Sequence, residues 1–244
     1  MKSLTRFALA AFLGLAATAV SAQPARTDVT PEGLVAVKAR KVGRAWLLPG
    51  ADFRPYKKVL LKPAEVAFQK NWLRNVNDTG TPRLSSAGRV TDADALKILD
   101  AARSGFDKVW AQAFKAGGYE VVTAPGDDVL EVAPRVVDLY VNAPAGQKSG
   151  VKETYTLESG DATLNLEVRD SRAGTLLGRV VDRRETLDGS TPQRASSASN
   201  VAEFERLFAL WAGIAVKGIE DLKAASPMPD TIKPGQKIQA PAKK

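Results

Sequence analysis

Seven charged residues crowd one stretch of the chain: Arg169, Asp170, Arg172, Arg179, Asp182, Arg183 and Arg184. Two chemistries suit that inventory. Arginine presents a planar fork of donors, so a cluster of them can hold a carboxylate, a phosphate or an acidic partner. Paired carboxylates such as Asp170 and Asp182 can serve as general acid and base on a glycosidic bond, provided they sit about 5 Å or about 6.5–9.5 Å apart. The arginines work against this second use, because neighbouring positive charge lowers a carboxyl pKa and a general acid needs it raised. A purely structural reading stands beside both, since arginines and aspartates pair across a hairpin at roughly 0.2–1 kcal/mol per pair. Trp72, set among Lys70, Asn71, Arg74 and Asn75, is a further binding candidate, able to stack on a sugar or to lid the core.

The remaining chemical inventory is short. The chain has no Cys, which excludes disulfides, iron–sulfur clusters, thiol chemistry and a lipid-modified cysteine. It has no His, which removes the commonest general base, the commonest transition-metal ligand and any Ser-His-Asp triad. Ala116-Gly117-Gly118 ends a helical pattern instead of opening one, so it is no phosphate loop. No cofactor is implied. Asp127 and Asp128 with nearby carbonyls would suit a hard cation without specificity.

The N-terminus points to export. Lys2 and Arg6 precede an apolar run from Phe7 to Ala19, and Val20-Ser21-Ala22 is a small-residue cleavage site before Gln23. The run is shorter than the roughly 20 residues a bilayer span needs, and no later run is longer, so no transmembrane segment is expected in the mature chain. The expected location is the periplasm, or outside the cell. Cleavage after Ala22 removes two cations and no acid, lowering the formal net charge from +8 to +6. The positive charge is interspersed with acids and forms no nucleic-acid reading module. Weak attraction to anionic envelope surfaces is its plainer consequence.

The elements that must position the charged stretch are legible. From Thr163 to Val168, Leu164, Leu166 and Val168 alternate with Asn165 and Glu167, the two-residue period of a half-buried strand. Asp170-Ser171-Arg172-Ala173-Gly174 has turn chemistry, and Leu176 to Val181 resumes an extended run, so the spacing predicts a long antiparallel hairpin. Lys57–Phe68 reads as the first sheet strand, with Pro63 marking an edge or bulge. Val129–Asn142 reads the same way around Pro134. Tyr119–Thr123 is a short strand expected parallel to Lys57–Phe68 across a right-handed crossover. Between them, Thr91 caps a helix to Gly117, with Asp94 in the capping-box position. A second long helix, capped by Asn200 and stopped at Ser226-Pro227, carries Phe204, Leu207, Phe208, Trp211, Ala215 and Leu222 as one stripe. Gly213 and Gly218 on it read as permitting close approach to whatever it covers.

These pieces predict an α+β fold, a single domain with a mixed, mostly antiparallel sheet of about five strands and two long helices on one face. Asn165, Glu167, Arg169 and Arg179 would line the other face. The expected divisions are a signal peptide over 1–22, a flexible leader over 23–33, the domain over 34–225 and a disordered Pro/Lys-rich tail over 226–244.

One ordered set of short motifs resembles a known family. Pro49-Gly50-Ala51-Asp52-Phe53, Tyr56 to Leu61, Gly118 to Val122, Arg169-Asp170-Ser171 with Gly174, and Val181-Asp182-Arg183-Arg184 follow one another over roughly residues 31–225. The succession is similar to a proteobacterial family of small, lipoprotein-like envelope proteins, domain of unknown function 3313. Many relatives carry a lipid-attachment cysteine and this chain has none. The resemblance implies no established activity. The element order is also similar to periplasmic assembly-factor domains of the curli-secretion and penicillin-binding-protein-activator type, an analogy of fold that does not reach function.

The expected function is a non-catalytic periplasmic binding or scaffolding protein that meets an envelope protein or glycan through its sheet face or edge. The alternative is a carboxylate-based hydrolase acting on peptidoglycan or another glycan. A carrier for an apolar ligand would require a deep pocket between helices and sheet, which Phe106, Phe114, Phe204 and Trp211 would otherwise fill. Expressed with its own N-terminus in a Gram-negative host, the protein should be recovered from the periplasm beginning at Gln23. Mass spectrometry that finds residues 1–22 retained would contradict export by a cleaved signal.

Overall fold

The computed structural model describes residues 28–78, 90–141, 155–156, 160–186, 193–194 and 197–238. The expected signal peptide, the first residues of the leader and residues 239–244 of the tail lie outside these. Ten strands and three helices are described: β1 Val35–Val37, β2 Arg44–Leu47, β3 Lys58–Leu61, β4 Glu65–Phe68, α1 Trp72–Asp78, α2 Asp92–Ala116 and β5 Glu120–Val122. There follow β6 Val129–Val141, β7 Tyr155–Thr156, β8 Gly160–Asp170, β9 Leu176–Glu185, β10 Gln193–Arg194 and α3 Ser197–Ala225. The main sheet has eight strands in the order β1-β2-β9-β8-β6-β3-β5, with β4 also paired to β6; β7 and β10 form a separate two-stranded ribbon.

The fold is α+β with a mixed sheet, as expected, but with eight strands where about five were expected and with a third helix. The extra strands come from pieces too short to show a period. β1 has three residues and β2, which contains Trp46, has four. Lys57–Phe68 is two strands, both parallel to β6. The two prolines explain the break. Val132 accepts from the Lys62 N–H, so its polar groups face β3, and Pro134 two residues on faces the same way. Pro134 therefore meets the gap between β3 and β4, where Pro63 lies and no rung needs its missing N–H. The expectation of an edge or bulge at Pro134 fails for that reason; the irregularity in β6 falls at Asp138, which has a φ of 53°.

The β8–β9 hairpin is present, and its alternation is complete. Ala162, Leu164, Leu166 and Val168 are buried, while Thr163, Asn165, Glu167 and Arg169 point to the opposite face. The buried side shares one core with α2 and α3. Phe106, Trp110, Phe114, Phe208 and Trp211 fill this layer, with Phe106 stacked on Trp110 at 4.6 Å between centroids and edge-on to Phe208 at 5.1 Å. Helix α2 begins as its capping box predicts: the Thr91 hydroxyl accepts from the Asp94 N–H, and the Asp94 carboxylate accepts from the Thr91 N–H. The start of α3 differs, because Asn200 lies inside a helix that begins at Ser197.

The first and last described segments flank β1. Asp28–Gly33, expected within a flexible leader, folds back so that Asp28 accepts from Ala36 N–H and Leu34 accepts from Thr30 N–H. Residues 226–238, expected within a disordered tail, pack instead: Met228 and Ile232 are buried, and Gly235 and Gln236 hydrogen-bond to Ala36 and Lys38. Two apolar residues among many prolines and lysines were too few to register in composition. Phe208→Ala removes a ring that is 1% exposed and should destabilise the fold by about 3–5 kcal/mol. Leu210→Ala, two residues away and 46% exposed, should change stability by under about 0.5 kcal/mol, as urea denaturation will measure.

Candidate functional site

The charged stretch separates onto two faces. Glu167, Arg169, Arg179 and Arg183 lie on the sheet face that α2 and α3 leave uncovered, because their β8–β9 register places them opposite the buried alternation. Glu167 sits between two arginines: Arg169 Nη2 lies 2.6 Å from one carboxylate oxygen, and Arg179 reaches the other at 2.8 Å and 3.0 Å. Arg179 also donates to Glu32 at 3.0 Å, tying the Asp28–Gly33 return to this face. Arg183 lies 2.9 Å from Asp161, close enough for an ion pair although its N–H is not aligned as a hydrogen bond. Arg172 pairs with Asp127 at 2.9 Å, both largely exposed, and Asp128 pairs with Lys58 at 3.4 Å. Such exposed pairs contribute little, about 0–1 kcal/mol.

The acidic residues are absorbed by local structure. Asp170 Oδ1 accepts from the N–H groups of Arg172 and Ala173 and so shapes the hairpin turn, while Oδ2 accepts from the Tyr56 hydroxyl at 2.8 Å. Burial works to raise its pKa, but the Ala173, Tyr56 and Arg172 hydrogen bonds outweigh that and hold it below the usual range. Asp182 lies on the other side, under the helices and 5% exposed. It accepts from Trp211 Nε1 at 2.9 Å, Gly43 N–H at 2.9 Å and Arg184 Nε at 2.6 Å. Asp182 pairs with Leu164, six residues from Asp170 along β8, so the two aspartates stand about 20 Å apart. They do not form the carboxylate pair that glycoside hydrolysis requires. Trp72, 1% exposed, stacks on Phe68 at 3.8 Å and donates Nε1–H to the Val141 carbonyl, so both its ring and its donor are used inside the chain.

A concavity exists elsewhere, on the helix side. A cavity of ≈ 580 Å³ lies between the C-terminal half of α3, the β2 and β9 strands, the β1–β2 loop and the C-terminal segment. Its walls are apolar, with Leu47, Leu166, Val180, Ile214 and Leu222 among them. Small residues on α3 leave the space open. The buried rings Phe204, Phe208 and Trp211 come before it, and past them Ala215 and Gly218 stand on the lining between the larger Ile214, Ile219 and Leu222. Nothing lies within 4 Å of where a Cβ on Gly218 would sit. The glycine leaves space open, where its sequence had suggested close approach. Phe106, Phe114, Phe204 and Trp211 do fill the interlayer space beneath the first half of α3; the cavity begins past them.

Besides Arg179, whose side chain is held by Glu167 and Glu32 on the opposite sheet face, five cations border this cavity: Lys38, Arg40 and Lys41 from the β1–β2 loop, Lys217 from α3, and Lys237 from the C-terminal segment. All five are exposed. The acid at the border, Asp221, pairs with Lys217 at 3.0 Å. None of these five was a sequence candidate. The signals were the small residues Ala215 and Gly218 within one helical face and the Lys-Ala-Arg-Lys run, and neither locates the other without the fold.

Among the sites described, the uncovered sheet face is where titration shifts concentrate. Glu32 is held down to about 2 by the Thr30 hydroxyl, its own N–H and Arg179. Burial works to raise Glu167, but Arg169 and Arg179 outweigh it and hold it below the usual range. Asp161 goes the other way: burial raises it, Arg183 opposes, and Glu185 and Asp138 add to the rise. A raised carboxyl ionises at a cost that the unfolded chain does not meet, so at pH 7 Asp161 reduces stability. Asp161→Asn should therefore raise the unfolding temperature at pH 7. Thermal denaturation against pH should show the gain shrinking to nothing as pH falls below about 4, where the unfolded aspartate is also protonated.

Comparisons with known proteins agree with the ordered motifs. The model of a family described as "Protein of unknown function (DUF3313)" matches residues 30–213. No curated protein matches the chain by sequence. Among solved structures, the chain is similar to a PelC dodecamer from Paraburkholderia phytofirmans, at 11% identity, TM-score 0.29, covering 69% of this chain and 98% of that one. It is also similar to protein XCC0632 from Xanthomonas campestris, of family DUF330, at 15% identity, TM-score 0.36, covering 69% and 83%. At these scores the likenesses carry no functional argument.

Proposed function

Because the chain belongs to the DUF3313 family, whose members are described as proteins of unknown function, we propose its role from its own geometry: it is a non-catalytic binding protein of the bacterial envelope that holds an apolar-bodied ligand between α3 and the β2–β9 strands. The observation that carries this is the ≈ 580 Å³ cavity with apolar walls, within the ~300–1,000 Å³ typical of small-molecule sites. The charged sheet face is a weaker candidate, because its arginines are already spent on Glu167, Glu32 and Asp161. A hydrolase is disfavoured by the wide separation of Asp170 and Asp182 and by the internal partners that each already has. The N-terminal export pattern supports a periplasmic location.

A filling variant tests the reading. Gly218→Leu puts a side chain into open space and replaces the poorest helix former short of proline, so it should stabilise α3 by about 0.5–1 kcal/mol. The same change should weaken binding of the neutral apolar dye N-phenylnaphthylamine, read as its fluorescence enhancement, relative to the wild-type protein. A dye that does not bind wild type, or binds the variant equally, would remove the cavity from consideration.

A further inference from the structure

The geometry points to a particular occupant for this cavity: a single-chain anionic amphiphile, one acyl chain ending in a carboxylate or phosphate. This rests on the cavity reading above and goes further by naming the ligand class. Two observations select it. The first is volume. A methylene fills about as much space as a water in the liquid, ~30 Å³, so ≈ 580 Å³ accommodates roughly nineteen such groups. That suits one long acyl chain better than the two chains of an ordinary phospholipid.

The second is charge. Lys38, Arg40, Lys41, Lys217 and Lys237 surround an apolar interior, and among the described residues Lys217 is the one of the five with a carboxylate partner. Four cations thus border the cavity with no carboxylate partner among the described residues, three from the β1–β2 loop and one from the C-terminal segment. Their long stems can lie along the apolar body of a ligand while their heads remain in water, where its charged end would sit. A purely neutral ligand would leave this ring without purpose, and a cationic one would be repelled by it. What marks the border is convergence: five cations from three parts of the chain meet one acid there, Asp221.

Displacement of N-phenylnaphthylamine from the full-length mature protein tests this with four ligand types of equal chain length: palmitate, a palmitoyl lysophosphatidylglycerol, hexadecanol and a hexadecyl-trimethylammonium salt. Palmitate or the lysophospholipid should compete at least tenfold better than the alcohol, and the ammonium salt worst. Whichever of the two anions binds more tightly identifies the head group. Across laurate, myristate and palmitate, affinity should rise by about fourfold per methylene until the cavity is full. The triple variant Lys38→Glu, Arg40→Glu, Lys41→Glu, which alters exposed loop side chains, should erase the advantage of the anions and leave dye binding intact. Equal competition by all four ligands, or no effect of the triple variant, overturns the charge assignment. If the dye binds and no acyl chain displaces it, this inference fails while the cavity reading survives. Failure of the dye itself would remove both.

Discussion

A single buried carboxylate holds together the parts that matter. Asp182 projects from β9 beneath α3 and receives three donors, from the Trp211 indole, the Gly43 backbone and the Arg184 side chain. A charged oxygen this far from water is tolerable only when its lone pairs are filled by well-aimed donors, and here they come from a helix, a loop and its own strand. The bond to Trp211 sets where α3 lies across the sheet. The bond to Gly43 fixes the β1–β2 loop, whose residues Lys38, Arg40 and Lys41 border the cavity. The helix, strand and loop that enclose that space therefore meet at one ion.

The cavity follows from how α3 is filled on either side of this anchor. Before Trp211 the helix offers rings to the sheet, and close packing leaves no room. After it, rings give way to aliphatic residues, and at Ala215 and Gly218 nothing long enough projects to meet Leu47, Leu166 and Val180. An unfilled apolar space costs dispersion contacts along its whole lining. The larger stability reservoir of the aromatic half, with Phe106, Trp110, Phe208 and Trp211 in mutual contact, is what lets the other half remain hollow.

Much of the scaffold was legible. The alternation of Leu164, Leu166 and Val168, the capping box at Thr91 and the aromatic stripe of α3 each encode local geometry, because side-chain period and capping depend on neighbours a few residues away. The split of Lys57–Phe68 into two strands and the harmless place of Pro134 were not legible, since both depend on which strand lies alongside. The same holds for Asp170 and Asp182. Near each other in a charged stretch, they were separated by a strand register that sends one into a turn and the other beneath a helix.

By itself, the sequence determined the inventory: no histidine, no cysteine, an export-like N-terminus, a family, an α+β plan and a surplus of positive charge. Only the tertiary structure decided what that inventory does. It consumed the arginine cluster in ion pairs on both faces of the β8–β9 hairpin and at its turn, because each arginine has a carboxylate within reach. It also gathered cations from residues 38, 40, 41, 217 and 237 around one apolar hollow, because the β1–β2 loop, α3 and the C-terminal segment converge there. Period and composition register what is close along the chain, whereas a site of this kind is made by residues close only in space.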